Sequence, residues 1–159
     1  MAGRLAAVAG CSLQQLPGEV ERAPLTLRLI LPAAEQVPVL VVDDNIDTLQ
    51  LYGRYLTGTR YRFVGVADPR RAVELAEEVN PQIILLDLML PQVDGWELLG
   101  RLREHPRTYH IPVVVCSILP QEDLALALGA AAFIRKPASQ AALLSALDRE
   151  LDRLFQGSR

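Results

Sequence analysis

The chain has 159 residues, 50% of them apolar and 22% charged, with a formal net charge of −3. That length can bury a core without disulfides or a structural metal, and it fits one domain with extra residues at an end. No basic stripe marks a nucleic-acid surface, and no apolar run approaches the ~20 residues of a membrane-spanning helix.

Residues 1–36 form an N-terminal extension or linker. They carry Pro17, Gly18, Pro24 and Pro32, and only LTLRLIL at 25–31 alternates well enough for one strand. VAGC at 8–11 has the look of a lipoprotein cleavage site. The apolar run before it is shorter than the ~7–15 residues of an export signal, so a cytoplasmic chain is expected. Cys116 lies in an apolar run and reads as a small core residue. A bridge to Cys11 is not expected in a reducing compartment.

From Val37 to residue 155 the pattern becomes strand, helix, strand, helix. The apolar β-branched run at 39–42 suits a strand buried on both faces, and it ends in Asp43-Asp44. Asn45 or Asp47 caps a helix with Leu49, Tyr52 and Leu56 on its inner face. Residues 63–67 form the second strand. Asp68 caps and Pro69 opens the next helix, whose inner face is Ala72, Val73, Ala76 and Val79. The third strand, 83–86, finishes at Asp87. Asp94-Gly95 leads into a helix over 96–103. The fourth strand, 113–116, finishes at Ser117. A short helix over 121–128 stops at Gly129. The fifth strand, 133–134, runs into Lys136-Pro137. Ser139 caps a last helix with Leu143, Leu147, Leu151 and Leu154 on its core stripe. This alternation predicts an α/β fold, a flavodoxin-like doubly wound parallel sheet of five strands in the order 2-1-3-4-5, with helices on both faces.

In such sheets ligands bind beyond the carboxyl ends of the strands, where strand order reverses. Asp43, Asp44, Asp87, Ser117 and Lys136 all stand at those ends. Each residue alone has a plain structural use, as a helix cap or a turn. Together, in this order, they form a crevice of three carboxylates. Ionised pairs at about 4 Å repel by about 4 kcal/mol at an effective dielectric near 20. Oxygen-only ligands favour a hard cation such as Mg2+. His105 and His110 stand near a loop and read as solvated, and no Cys/His cluster offers a zinc site. The cation and Lys136 would offset phosphoryl charge beside Asp87, making it a nucleophile and phosphoacceptor. Asp44 is the direct metal ligand and Asp43 a partner through water. Ser117 and Lys136 hold the phosphoryl group.

VLVVDDN (39–45), LLDLMLPQVDG (85–95), IPVVVCS (111–117) and FIRKP (133–137) together resemble the signature segments of response-regulator receiver domains. The resemblance implies a two-component signalling module that takes a phosphoryl group from a phosphohistidine on a sensor kinase or phosphotransfer protein. It assigns the acidic pair to Asp43 and Asp44, the phosphoacceptor to Asp87, the hydroxyl to Ser117 and the lysine to Lys136. It adds the backbone carbonyl of Met89 as a metal ligand, Phe133 as the switch aromatic, and a cis bond before Pro137. It places contacts with an output protein or a second copy on the fourth helix, fifth strand and fifth helix, where Leu124, Leu126 and Leu128 offer apolar surface, some of it turned to the core. No catalysis beyond self-phosphorylation and self-dephosphorylation, and no direct nucleic-acid or membrane contact, is implied.

Departures from the family pattern are Ser117 in place of the commoner Thr, the bulky Ile118 where a small residue is usual, and a stretch between Ser117 and Lys136 about one helical turn short. A receiver-like binding module that is never phosphorylated is one rival. A hybrid histidine kinase whose C-terminal receiver this is, with LTLRLILPA (25–33) as the end of its ATP-binding domain, is another. A haloacid-dehalogenase-type phosphatase would need an acid where Met89 stands. A flavin-binding protein would need a phosphate loop where Asp43-Asp44 repels one.

Overall fold

The computed structural model describes residues 12–15, 27–30 and 36–156. Two units divide the chain, Met1–Glu35 and Gln36–Arg159. In the first, β1 (Ser12–Gln15) pairs antiparallel with β2 (Leu27–Ile30), Ser12 opposite Ile30. The VAGC motif and Cys11 lie outside the described residues.

The apolar runs of the second unit become five strands: β3 (Val37–Val42), β4 (Tyr61–Val66), β5 (Ile83–Leu86), β6 (Val113–Ser117) and β7 (Ala132–Arg135). They are parallel, in the order β4-β3-β5-β6-β7, which is 2-1-3-4-5 counted from β3. Central β5 is buried at all four positions. Successive side chains point to opposite faces, so both faces need cover.

The helices supply it. Val39, Val41, Ile83, Leu85, Val114 and Cys116 face a core with α1 (Ile46–Leu56) and α5 (Gln140–Gln156). Leu40, Val42, Ile84, Leu86, Val113 and Val115 face a second core with α2 (Ala72–Val79), α3 (Gly95–Glu104) and α4 (Glu122–Ala127). Full burial of one such aliphatic side chain is worth about 1.5–3 kcal/mol. Asn45 caps α1, its side chain accepting from the amides of Asp47 and Thr48 at 2.9 and 3.2 Å. Asp94 caps α3 by accepting from the Trp96 amide at 2.8 Å.

Two local expectations change. Asp68 and Pro69 open a 3₁₀ turn, Pro69–Arg71, before α2 begins at Ala72. Arg70 also chelates the Asp68 carboxylate and holds it down at about pKa 2. The second concerns α4 and the residue that caps its end, where none of Leu124, Leu126 and Leu128 faces the core; they are 43–45% exposed. Ala125 takes the core position instead, because a helix of six residues has one inward seat to fill.

Candidate functional site

Strand order brings β4 and β5 to opposite sides of β3, so a crevice opens beyond the carboxyl ends of β3 and β5. Backbone hydrogen bonds fix the approach. Asp87 donates its amide to the carbonyl of Val42 at 2.9 Å, and Asp43 donates to that of Val66 at 3.2 Å. On the far side, Lys136 donates its amide to the carbonyl of Ser117 at 3.0 Å.

Side-chain oxygens of Asp43, Asp44 and Asp87 then lie within 4.8 Å of one another. Asp43 and Asp87 are buried, and Asp44 is the more open member. Two like charges at that distance repel by about 3.5 kcal/mol at an effective dielectric near 20. Lys136 offsets part of this: its Nζ lies 2.6 Å from Oδ2 of Asp43 and 2.6 Å from Oδ2 of Asp87. The second oxygen of each buried carboxylate takes a backbone amide. Asn45 donates to Oδ1 of Asp43 at 2.9 Å, and Met89 to Oδ1 of Asp87 at 3.0 Å.

Burial raises the Asp43 carboxyl above its ordinary value, and the bonds from Lys136 and Asn45 only partly oppose it. Burial works to lower the Lys136 ammonium, but Asp43 and Asp87 outweigh it and hold that group above the usual lysine range. The cluster is thus one cation shared by more carboxylates than it can neutralise. Hard oxygen donors, close together and short of positive charge, fit a divalent cation such as Mg2+.

The other expected residues fall around this centre. Ser117 is fully buried, and its hydroxyl oxygen accepts from the Leu119 amide at 3.3 Å. That bond uses the oxygen as acceptor and leaves its proton for another partner. The Met89 side chain is 50% exposed, and Ile118 is 58% exposed, so Ile118 does not fill the pocket. Phe133 is half-buried against the core on the α2–α4 side. The Lys136-Pro137 bond is cis.

Some contacts were not visible in the sequence. The Lys136 bridge between Asp43 and Asp87 is one, since only the fold joins residues so far apart. Another lies behind the site, where the Tyr52 hydroxyl and the buried Cys116 Sγ meet at 3.0 Å. Cys116 is a free thiol. His105 is not simply solvated: its Nε2 stands 3.1 Å from Oε1 of Glu77, which also receives Arg107.

The family model for the response regulator receiver domain matches residues 39–148. This chain belongs to that family. The receiver is 36% identical over 102 residues to the response regulator PleD of Caulobacter vibrioides, across 62% of this chain and 22% of that protein. It spans about a quarter or less of the length of the first curated relatives it matches. Among solved structures, it is similar to the signal receiver domain of a LuxO repressor protein from Vibrio parahaemolyticus. The TM-score is 0.71 and the identity 25%, covering 77% of this chain and 95% of that one. It is also similar to the receiver domain of a Pseudomonas aeruginosa sensor histidine kinase, with a magnesium ion coordinated in its active-site cleft. There the TM-score is 0.67 and the identity 27%, over 74% and 98% of the two chains. Residues 39–148 are therefore a receiver domain of two-component signalling, and the side-chain oxygens of Asp43, Asp44 and Asp87 are close enough together that they could hold a metal ion. Among the described residues, no helix is long and apolar enough to cross a membrane.

Proposed function

We propose that Asp87 is the phosphoacceptor of this receiver, and that residues 37–155 form the unit that carries it. The observation that supports this most is the joint approach of Asp43, Asp44, Asp87 and Lys136 at the strand ends. Asp43, Asp44, Asp87 and the Met89 carbonyl would hold Mg2+, which would supply positive charge against the phosphoryl oxygens.

The donor is a phosphohistidine of a sensor kinase or phosphotransfer protein. An Asp87 carboxylate oxygen attacks phosphorus and forms an O–P bond. The N–P bond breaks, and the imidazole nitrogen keeps its electron pair. Lys136, already on Oδ2 of Asp87, has hydrogens to offer the incoming phosphoryl oxygens. Ser117 turns its hydroxyl proton to another of them. That movement draws on β6, and Phe133 on neighbouring β7 follows it by packing further inward. The face made of α4, β7 and α5 then carries the signal to an output protein or a second copy. Leu124, Leu126 and Leu128 stand exposed there.

The chain works in the cytoplasm, with no catalytic activity of its own beyond gaining and losing this phosphoryl group. Acetyl phosphate with Mg2+ adds the mass of one phosphoryl group to the intact chain. Without Mg2+, or in Asp87→Asn, that mass does not appear. Equal labelling of Asp87→Asn would overturn the assignment.

A further inference from the structure

The first residue of α3 presses on the loop that carries Met89. A Cβ built on Gly95 would lie 2.4 Å from the carbonyl oxygen of Leu88, 2.5 Å from its Cα and 2.7 Å from its carbonyl carbon. All three are backbone atoms, and side-chain carbons do not approach backbone so closely. Leu88 has little freedom to retreat, because its side chain is buried in the core on that face of the sheet. On either side of Leu88 stand Asp87 and Met89, joined by the Met89 amide donating to Oδ1 of Asp87. Gly100 in the same helix is different: a Cβ there meets nothing within 4 Å.

We propose that Gly95 is a positioning residue for the acidic pocket. Its missing side chain lets α3 close against Leu88, and that contact sets the turn presenting the Asp87 carboxylate and the Met89 carbonyl. The inference rests on the reading above that these two groups are metal ligands. A methyl group at Gly95 displaces the Leu88 peptide. The displacement passes to Met89, whose amide leaves Asp87 and whose carbonyl turns from the pocket.

Helix propensity gives the test its sign. Alanine favours a helix over glycine, so a glycine with open space around it gains stability on substitution. Gly100→Ala is therefore expected to raise the melting temperature and leave Mg2+ affinity unchanged. Gly95→Ala, added in that background, is expected to weaken Mg2+ binding by about tenfold or more in calorimetric titration, the scale of loss when a ligand's support is removed. Amide hydrogen exchange at Met89 speeds up by about tenfold in the same folded chain, as its local bond to Asp87 opens.

Unchanged Mg2+ affinity and unchanged Met89 exchange in the double variant would overturn the proposal. So would a double variant that no longer folds, because the contact would then serve the whole domain rather than the site. If the wild-type chain takes up no Mg2+, the ligand reading fails instead, and Met89 exchange, which needs no metal, still decides the role of Gly95.

Discussion

Lys136 Nζ and Asp87 Oδ2 stand 2.6 Å apart, although 49 positions separate the two residues in the chain. The same ammonium reaches Asp43 Oδ2, so one cation holds together the side chains that directly follow β3, β5 and β7. Lys136→Ala leaves two buried carboxylates without their partner. Removing one member of a buried charge pair costs about 3 kcal/mol. Urea denaturation in metal-free buffer should show a loss of that order. Added Mg2+ should stabilise the variant more than the wild type, because the carboxylates then lack a competing cation. Phosphorylation by acetyl phosphate should be slower despite the bound metal.

A second ion cluster ties α5 to β4. Asp148 Oδ1 accepts from Tyr61 Oη at 2.5 Å and from Arg60 at 2.6 Å. The bond from Tyr61 is the main cause that holds its carboxyl below the usual range, with Arg60 adding to it. A lowered folded-state pKa gives stability that is present above the ordinary carboxylate value of 3.8 and lost as pH falls through the folded value. Asp148 is half-exposed, so after solvent screening Asp148→Asn should cost about 1 kcal/mol or less at pH 7. The gap to wild type should close below about pH 4 in melting experiments, as the carboxylate protonates.

The residues beside the acceptor carry no polar side chain to orient an attacking water. Met89, two residues past Asp87, is 50% exposed, and Leu119, two past Ser117, packs against the core. The phosphorylated chain should therefore persist for minutes or longer in the presence of Mg2+. Met89→Asn supplies a water-orienting amide and should speed loss of the phosphoryl group by about tenfold. A wild-type half-life of seconds would contradict this reading.

Tyr52 and Cys116 form a hydrogen-bonded pair behind the site. Burial is the main cause that raises the Cys116 thiol, which keeps it from forming a reactive thiolate. A thiol reagent should label Cys116 in the native chain only as fast as the domain opens. Tyr52→Phe keeps the ring and loses the bond, at about 1 kcal/mol of stability.

Much of the fold was readable because apolar runs at 39–42, 83–86 and 113–116 have the length and flanks of buried strands, which the structure extends to Val37–Val42 and Val113–Ser117 at the first and last. The meeting of Asp43, Asp44 and Asp87 was readable because these residues end two of those runs on the same side of the sheet. Contacts joining distant positions left no local mark. The meeting of Lys136 with Asp43, of Tyr52 with Cys116, and of Gly95 with Leu88 all depend on how helices settle on the sheet. Asp94-Gly95 announced a turn but not that the glycine touches backbone seven residues earlier. The short α4 gave too few residues for a periodicity, so the outward aim of Leu124, Leu126 and Leu128 was not legible.

The central claim is that a single aspartate at the end of β5 takes the phosphoryl group. Borohydride reduction of the acetyl-phosphate-treated chain converts an aspartyl phosphate to homoserine, and peptide mass spectrometry then locates it. The account predicts homoserine at position 87, dependent on Mg2+ during phosphorylation. Homoserine at position 43 or 44, or a phosphoryl group retained on another residue type, would contradict it.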